Sequence, residues 1–179
     1  MTLWTIGHST KPIDEFLALL QSHGIKRLVD VRTIPRSRHN PQFNADTLAQ
    51  HLTKANVAYE HQPELGGLRK PGKDATNAGW KNTSFRGYAD YMQTKKFGAA
   101  LERLMRSSRH TSTVVMCAEA VPWRCHRSLI ADALIIRGWT VRHIMTATKA
   151  DKHRLTPFAV VEQDRVTYPF SDPLEAQNS

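Results

Sequence analysis

Five short strand-like segments recur along the chain, separated by stretches whose apolar residues repeat with helical period. This alternation constrains the fold more than any other feature of the sequence. The strand candidates are Leu3 to Gly7, Arg27 to Val31, Val57 to His61, Thr113 to Ala118 and Thr140 to Met145. Pro12 opens a first helix, where its missing N–H costs nothing. Ile13, Phe16, Leu17 and Leu20 form that helix's apolar stripe, and Gly24 stops it. Asn44 is placed to cap a second helix over Ala45 to Ala55. A third helix is expected from Gly87 to Ser107 and a fourth from Pro122 to Gly138. The closing PFAVVEQDRVTYPF reads as a β-hairpin turning at Gln163-Asp164. The expected fold is α/β: a mostly parallel five-stranded sheet with helices on both faces, a Rossmann-like three-layer arrangement, and a C-terminal β-hairpin. Right-handed crossovers and a strand order of 3-2-1-4-5 are expected. The length of 179 residues suits one domain, set at residues 1–170, with a disordered tail over residues 171–179.

Such a chain buries a core without disulfide or metal staples. Its apolar runs fall short of the roughly 18 residues that span a bilayer, so no membrane partner is expected. MTLWTIGHST lacks the basic and apolar regions of a secretory signal. Two cysteines make no disulfide framework, and a cytoplasmic, reducing location is expected. The charge is more informative. Lys plus Arg number 25 against 16 Asp plus Glu, a net charge of +9. Such an excess points to anionic partners: a small anionic molecule, a nucleotide or a nucleic acid.

In open α/β sheets ligands bind beyond the carboxyl ends of the strands. That rule gathers the chemistry-capable residues on one rim. His8 and Ser9 follow the first strand; Asp30, Arg32, Arg36 and Arg38 end or follow the second. Glu64 and Gly66-Gly67 follow the third, and Cys117 and Glu119 the fourth. Cys125, His126 and Arg127 begin the next helix, whose N-terminal field and nearby Arg124 favour a thiolate. On a helical wheel Cys125 and His126 face the sheet, Arg124 faces water, and Arg127 reaches the rim from the flank. Trp123 is expected to pack. Cys125 reads as a small buried hydrophobe, and the Asp30–Arg32 pair as either an internal brace or a catalytic carboxylate with its partner.

Three chemistries fit. Cys117 can act as a nucleophile, with Glu119 or His126 as acid–base partner and Asp30 as a further catalytic candidate. Cys117, Cys125 and His126 can instead ligate a metal, or the two cysteines can form a redox pair. His8, Ser9, Arg32, Arg36, Arg38 and Arg127 would then bind substrate. Phosphatase-type chemistry is disfavoured: six residues separate Cys117 from Arg124, one more than in such loops, and Glu119 would repel a phosphate. The pattern names no cofactor. A non-catalytic nucleic-acid-binding module is the reading from a different class. It rests on the long loop after Gly66-Gly67, which interleaves Arg69, Lys70, Lys73, Lys81 and Arg86 with Trp80, Phe85 and Tyr88.

Taken together, TIGHST, LVDVRTIPRSR, LGG at Leu65 to Gly67, SFRGYADYM, MCAEAVPWRCHR and TPFAVVEQDRVTYP resemble the domain of unknown function 488 family. The motifs extend from residue 5 to residue 169. The resemblance implies a shared α/β domain with a shared site at these positions, and no activity.

Overall fold

The computed structural model describes residues 1–170; the expected tail lies outside the described residues. Eight strands form: β1 (Thr2–Gly7), β2 (Arg27–Asp30), β3 (Ala58–His61), β4 (Thr113–Cys117), β5 (Thr140–Ile144), β6 (Ala150–Lys152), β7 (Val160–Glu162) and β8 (Arg165–Thr167). The helices are α1 (Ile13–Ser22), α2 (Ala45–Lys54), α3 (Thr83–Met92), α4 (Lys95–Ser107) and α5 (Arg127–Ile135). β1 to β6 make one sheet in the order β3-β2-β4-β1-β5-β6, parallel except for β6, and β7 and β8 make the expected hairpin. The sheet therefore has six strands, not five. Three-residue β6, with the sequence Ala-Asp-Lys, carries no apolar alternation that would announce it.

The expected order is corrected at one place: β4 enters between β2 and β1. β4 is the most thoroughly buried strand, every residue from Thr113 to Cys117 being buried, and a central position is where such a strand belongs. Alternation along the strands sends Leu28, Val114, Met116 and Ile6 to a core with α1 and α2. Val29, Val115, Cys117 and Leu3 go to the opposite core, with α3, α4 and α5. The chain thus leaves β1 and β4, which are neighbours, toward opposite faces. Their C-terminal ends, paired at Gly7 and Cys117, form the topological switch point.

Two caps divide what reads as one helix. Asn82 Oδ1 accepts from the Ser84 and Phe85 amides at 2.9 and 3.2 Å, starting α3 ahead of Gly87. Thr94 Oγ1 accepts from the Phe97 amide at 3.2 Å and starts α4. Gly87 serves another purpose. A Cβ there would lie 2.3 Å from the Arg69 carbonyl oxygen, so the missing side chain lets the loop after β3 lie directly on α3. Asn44 does not cap α2 with its side chain; its Oδ1 accepts from the Ser37 amide and braces the loop after β2.

Candidate active site

A cleft of about 660 Å³ opens at the switch point, beyond the ends of β1, β2 and β4. His8 and Ser9, Arg32 to Ile34, Gly67 and Leu68, Phe85 and Tyr88, and the segments 117–120 and 124–126 line it. The two halves of this lining rise from opposite faces of the sheet.

One half is a rigid polar chain on the α1/α2 side. Both Asp30 carboxylate oxygens are occupied: Oδ1 accepts from the Arg32 amide and Nε, and Oδ2 from Arg32 Nη2 at 2.6 Å and the Tyr59 hydroxyl at 3.0 Å. Arg32 also donates to the Phe43 carbonyl and, from Nη1 at 3.2 Å, to His8 Nε2. A guanidinium has no acceptor, so His8 must offer a lone pair at Nε2 and carry its proton on Nδ1, which donates to the Ser9 carbonyl at 2.8 Å. Burial and Arg32 hold the His8 imidazole neutral, its pKa lowered to about 4. The ring stacks on Phe43 at 4.2 Å.

The other half is built on Cys117. Gly7 permits it: a Cβ at that position would lie 1.9 Å from the Glu119 carbonyl oxygen, so the loop after β4 rests directly on the end of β1. The loop is tied there by the His8 and Ser9 amides, which donate to the Cys117 and Ala118 carbonyls. From beneath, Arg127 Nη2 donates to the Glu119 and Ala120 carbonyls at 2.7 and 2.8 Å. The loop turns its own Ala118 and Glu119 amides toward the Cys117 sulfur. The Cys125 thiol, these amides and Arg127 together outweigh burial and pull the Cys117 thiol down to about 7. Cys125 moves the opposite way, because it supplies the proton shared between the two sulfurs and is itself buried. His126 Nδ1 lies 3.7 Å from Cys125 Sγ, and burial followed by the Arg127 charge lowers its pKa to about 4. Donor atoms of Cys117, Cys125 and His126 all lie within 4.8 Å of one another.

A third group of polar residues supports α5 from below. His153 Nε2 donates to Asp132 Oδ1 at 2.8 Å, and His153 Nδ1 shares a hydrogen bond of 2.9 Å with His143 Nε2. His143 Nδ1 is in turn hydrogen-bonded to the Thr5 hydroxyl at 2.7 Å. The Tyr168 and Thr156 hydroxyls donate to Asp132 Oδ2 at 2.8 and 2.6 Å. One run of hydrogen bonds therefore joins the segment after β8 to α5, β5 and β1. Burial foremost, then His153 and Arg127, lowers the His143 pKa to about 3.

His8, Ser9, Arg32, Arg36, Cys117, Glu119, Cys125 and His126 all line the cleft, as does Arg124, which is exposed as expected. Four side chains of the expected rim stand elsewhere. Glu64 lies outside the lining and pairs with Arg103 at 2.9 Å. Asp30 is fully buried behind Arg32 and does not reach the cleft, so the internal-brace arrangement is the one observed. Arg127 is 1% exposed and turns under the loop, not onto the rim, because its guanidinium satisfies two carbonyls there. Arg38 points into solvent outside the lining. Trp123, expected to pack, is 65% exposed. The helical wheel gave Cys125 its inward direction for the wrong reason. α5 begins only at Arg127, and Cys125 is an extended residue after a short 3-10 turn over Pro122–Arg124.

Tyr88 and the Asp132 network were not singled out as site residues. Tyr88 lies within SFRGYADYM, where helical spacing makes it look like core. Its hydroxyl donates to the Leu65 carbonyl, and its ring lies 4.8 Å from His126. Two non-glycine residues at the cleft, Ser9 and Leu68, hold φ of 50° and 59°. Such left-handed backbone persists only where the surroundings impose it.

The family model described as Domain of unknown function DUF488 matches residues 12–134, a span that holds the cleft except for the His8 turn. No match was found among curated proteins or solved structures. No helix of the described residues is long and apolar enough to cross a membrane. With well over half of its length inside the matched span, the chain belongs to the DUF488 family.

Proposed function

We propose that the chain is an enzyme that acts on an anionic substrate in this cleft, with Cys117 as nucleophile. The observation that carries the reading is the polarised environment of Cys117: two backbone amides, the Cys125 thiol and the buried Arg127 cation all favour its thiolate. Two neutral imidazoles, His8 and His126, and the exposed Glu119 carboxylate share the cleft, which supplies acid–base partners on both sides of the sulfur. Arg36 and Arg124 stand at its mouth to receive the anion, and Ser9 offers a hydroxyl. Arg32 gives the cleft positive potential while held by Asp30. Asp30 and Arg127 act through Arg32 and through the 118–120 loop as positioning residues.

Alkylation with iodoacetamide, followed by peptide mass spectrometry across pH 5 to 10, tests the nucleophile. Cys117 should label first, with an inflection close to neutrality, and Cys125 only slowly. Faster labelling of Cys125, or a Cys117 inflection above pH 8.5, would remove Cys117 from the role.

The three donor atoms within 4.8 Å favour a second reading, a metal centre of Cys117, Cys125 and His126. Two thiolates and a neutral imidazole suit a borderline-soft dication such as zinc, which would supply Lewis acidity beside the cleft. Metal analysis of protein purified without chelator separates the readings. Stoichiometric zinc that blocks alkylation of both cysteines selects the metal centre; metal-free protein with a freely alkylated Cys117 selects the nucleophile.

A further inference from the structure

The mouth of the cleft differs from its interior. Two exposed apolar side chains stand in the lining, Ile34 at 64% and Leu68 at 80% accessibility. Exposed Trp123 immediately precedes Arg124 in the short turn after β4, just outside the lining itself. The three come from different loops, those after β2, β3 and β4, so they are not one segment's failure to pack. Leu68 is held out on left-handed backbone at φ 59°, which a leucine adopts only at a cost.

The same three loops carry exposed cations, Arg36 and Arg38, Lys70 and Lys73, and Arg124, of which Arg36 and Arg124 line the cleft. None makes an ion pair among the described residues, whereas the arginines placed deeper are committed. Arg32 binds Asp30, Arg69 lies over the Tyr91 ring at 3.8 Å, and Arg86 donates to the Asp74 carbonyl. Inside, Phe85, Tyr88 and His126 supply ring surfaces, and Thr33 and Ser84 supply hydroxyls. A volume of about 660 Å³ is ample for one heterocycle with its sugar.

A small phosphorylated metabolite would use one or two of these cations and none of the exposed apolar side chains. A polymer with alternating anionic and planar apolar parts would use both. We propose that the ligand is a single strand of nucleic acid, with one nucleobase turned into the cleft toward Cys117. Its neighbouring bases lie against Leu68, Ile34 and Trp123, and its phosphates against Arg36, Arg38 and Arg124. Bases stack on apolar and aromatic side chains regardless of sequence, and a base must leave its stack before chemistry can reach it. The proposal rests on the reading of the cleft as the active site and names its substrate class.

The test is fluorescence anisotropy with labelled 12-nucleotide single strands, in deoxyribose and ribose forms, on the Cys117→Ser protein. Binding is expected at low salt, with affinity falling by about 0.7 log units per log unit of salt for each phosphate contact, so a slope near −2 for three contacts. Arg36→Ala and Arg124→Ala should each flatten that slope by about 0.7. Trp123→Ala and Leu68→Ala should weaken binding roughly 5- to 100-fold, the range of one lost base stack. These four side chains are exposed, and circular dichroism checks that the variants fold. The deoxyribose and ribose arms identify which sugar the strand carries. The proposal is overturned if neither strand binds at low salt, or if a nucleoside monophosphate competes as well per mole as the oligomer. It is equally overturned if the duplex binds more tightly than the strand, or if the four substitutions leave affinity unchanged. Strand binding does not require the Cys117 thiol. Loss of binding with Cys117 alkylation intact therefore rejects this proposal alone, and intact binding with an unreactive Cys117 rejects only the nucleophile.

Discussion

Lowering the pH from 7 to 5 should destabilise this protein before its carboxylates titrate, because three buried imidazoles resist protonation in place. His8 and His126 are lowered from 6.5 to about 4, and His143 to about 3. The geometry gives the reason independently for two of them. His8 Nε2 faces the Arg32 guanidinium, and both nitrogens of His143 are engaged, with Thr5 and His153. The sign follows from linkage. Well above pH 6.5 these groups are neutral in both states and contribute no slope. Below it the unfolded chain takes up protons that the native protein cannot, so stability falls until the pH reaches the folded values near 4 and 3. One histidine supplies about 1.4 kcal/mol per pH unit in that window. Three together supply about 3–4 kcal/mol between pH 6 and pH 5, a large part of a typical domain's 5–15 kcal/mol. Urea unfolding followed by circular dichroism at pH 7.5, 6 and 5 measures the slope. His143→Gln, compared with its own stability at pH 7.5, should reduce it by about one third. A change below about 1 kcal/mol between pH 6 and pH 5 would refute the argument.

Three further outcomes follow from the same contacts. Gly7→Ala must displace the Glu119 carbonyl by more than an ångström, costing at least the 1–3 kcal/mol of an overpacked site and slowing Cys117 alkylation. Gly98→Ala is its control, since nothing lies within 4 Å of that added methyl and a helical alanine gains up to about 1 kcal/mol. Cys125→Ala removes the thiol that donates to the Cys117 sulfur, so the inflection in the Cys117 alkylation profile should move to higher pH while the melting temperature changes little. Arg127→Met leaves the Glu119 and Ala120 carbonyls without their donor and should cost about 2–4 kcal/mol by urea titration, with the Cys117 inflection again moving up.

The sequence made the strand ends legible because hydrophobic period and turn residues are local. Gly7, Asp30, His61 and Cys117 end their strands within a residue of where pattern alone places them. From that, the rule for α/β sheets gathered the cleft residues without any contact being known. What local pattern could not give was direction beyond the first residue past a strand. Asp30 and Arg32 share a strand face in either reading, and only the approach of Phe43, Tyr59 and His8 turns the pair inward. Arg127 is the clearest case. A fully buried arginine with no carboxylate partner among the described residues contradicts every compositional expectation for arginine. It is tolerated because two carbonyls of the 118–120 loop and the electron-rich sulfurs of Cys117 and Cys125 surround it.

That arrangement also explains why the two halves of the cleft belong together. A buried cation and a nearby thiol stabilise one another only when the thiol ionises, so Arg127 and Cys117 form one electrostatic unit. Arg32 and Asp30 form a second, already neutral, on the opposite face of the sheet. Between them His8 is held neutral by burial and by Arg32, and its amide is bonded to the Cys117 carbonyl. The topology makes this meeting unavoidable: β1 and β4 are neighbours whose chains depart to opposite layers. The first residues after each strand must therefore share the gap. The residue with least room to vary is Gly7, at the base of that gap, where a single methyl group would separate the thiolate loop from the His8 turn.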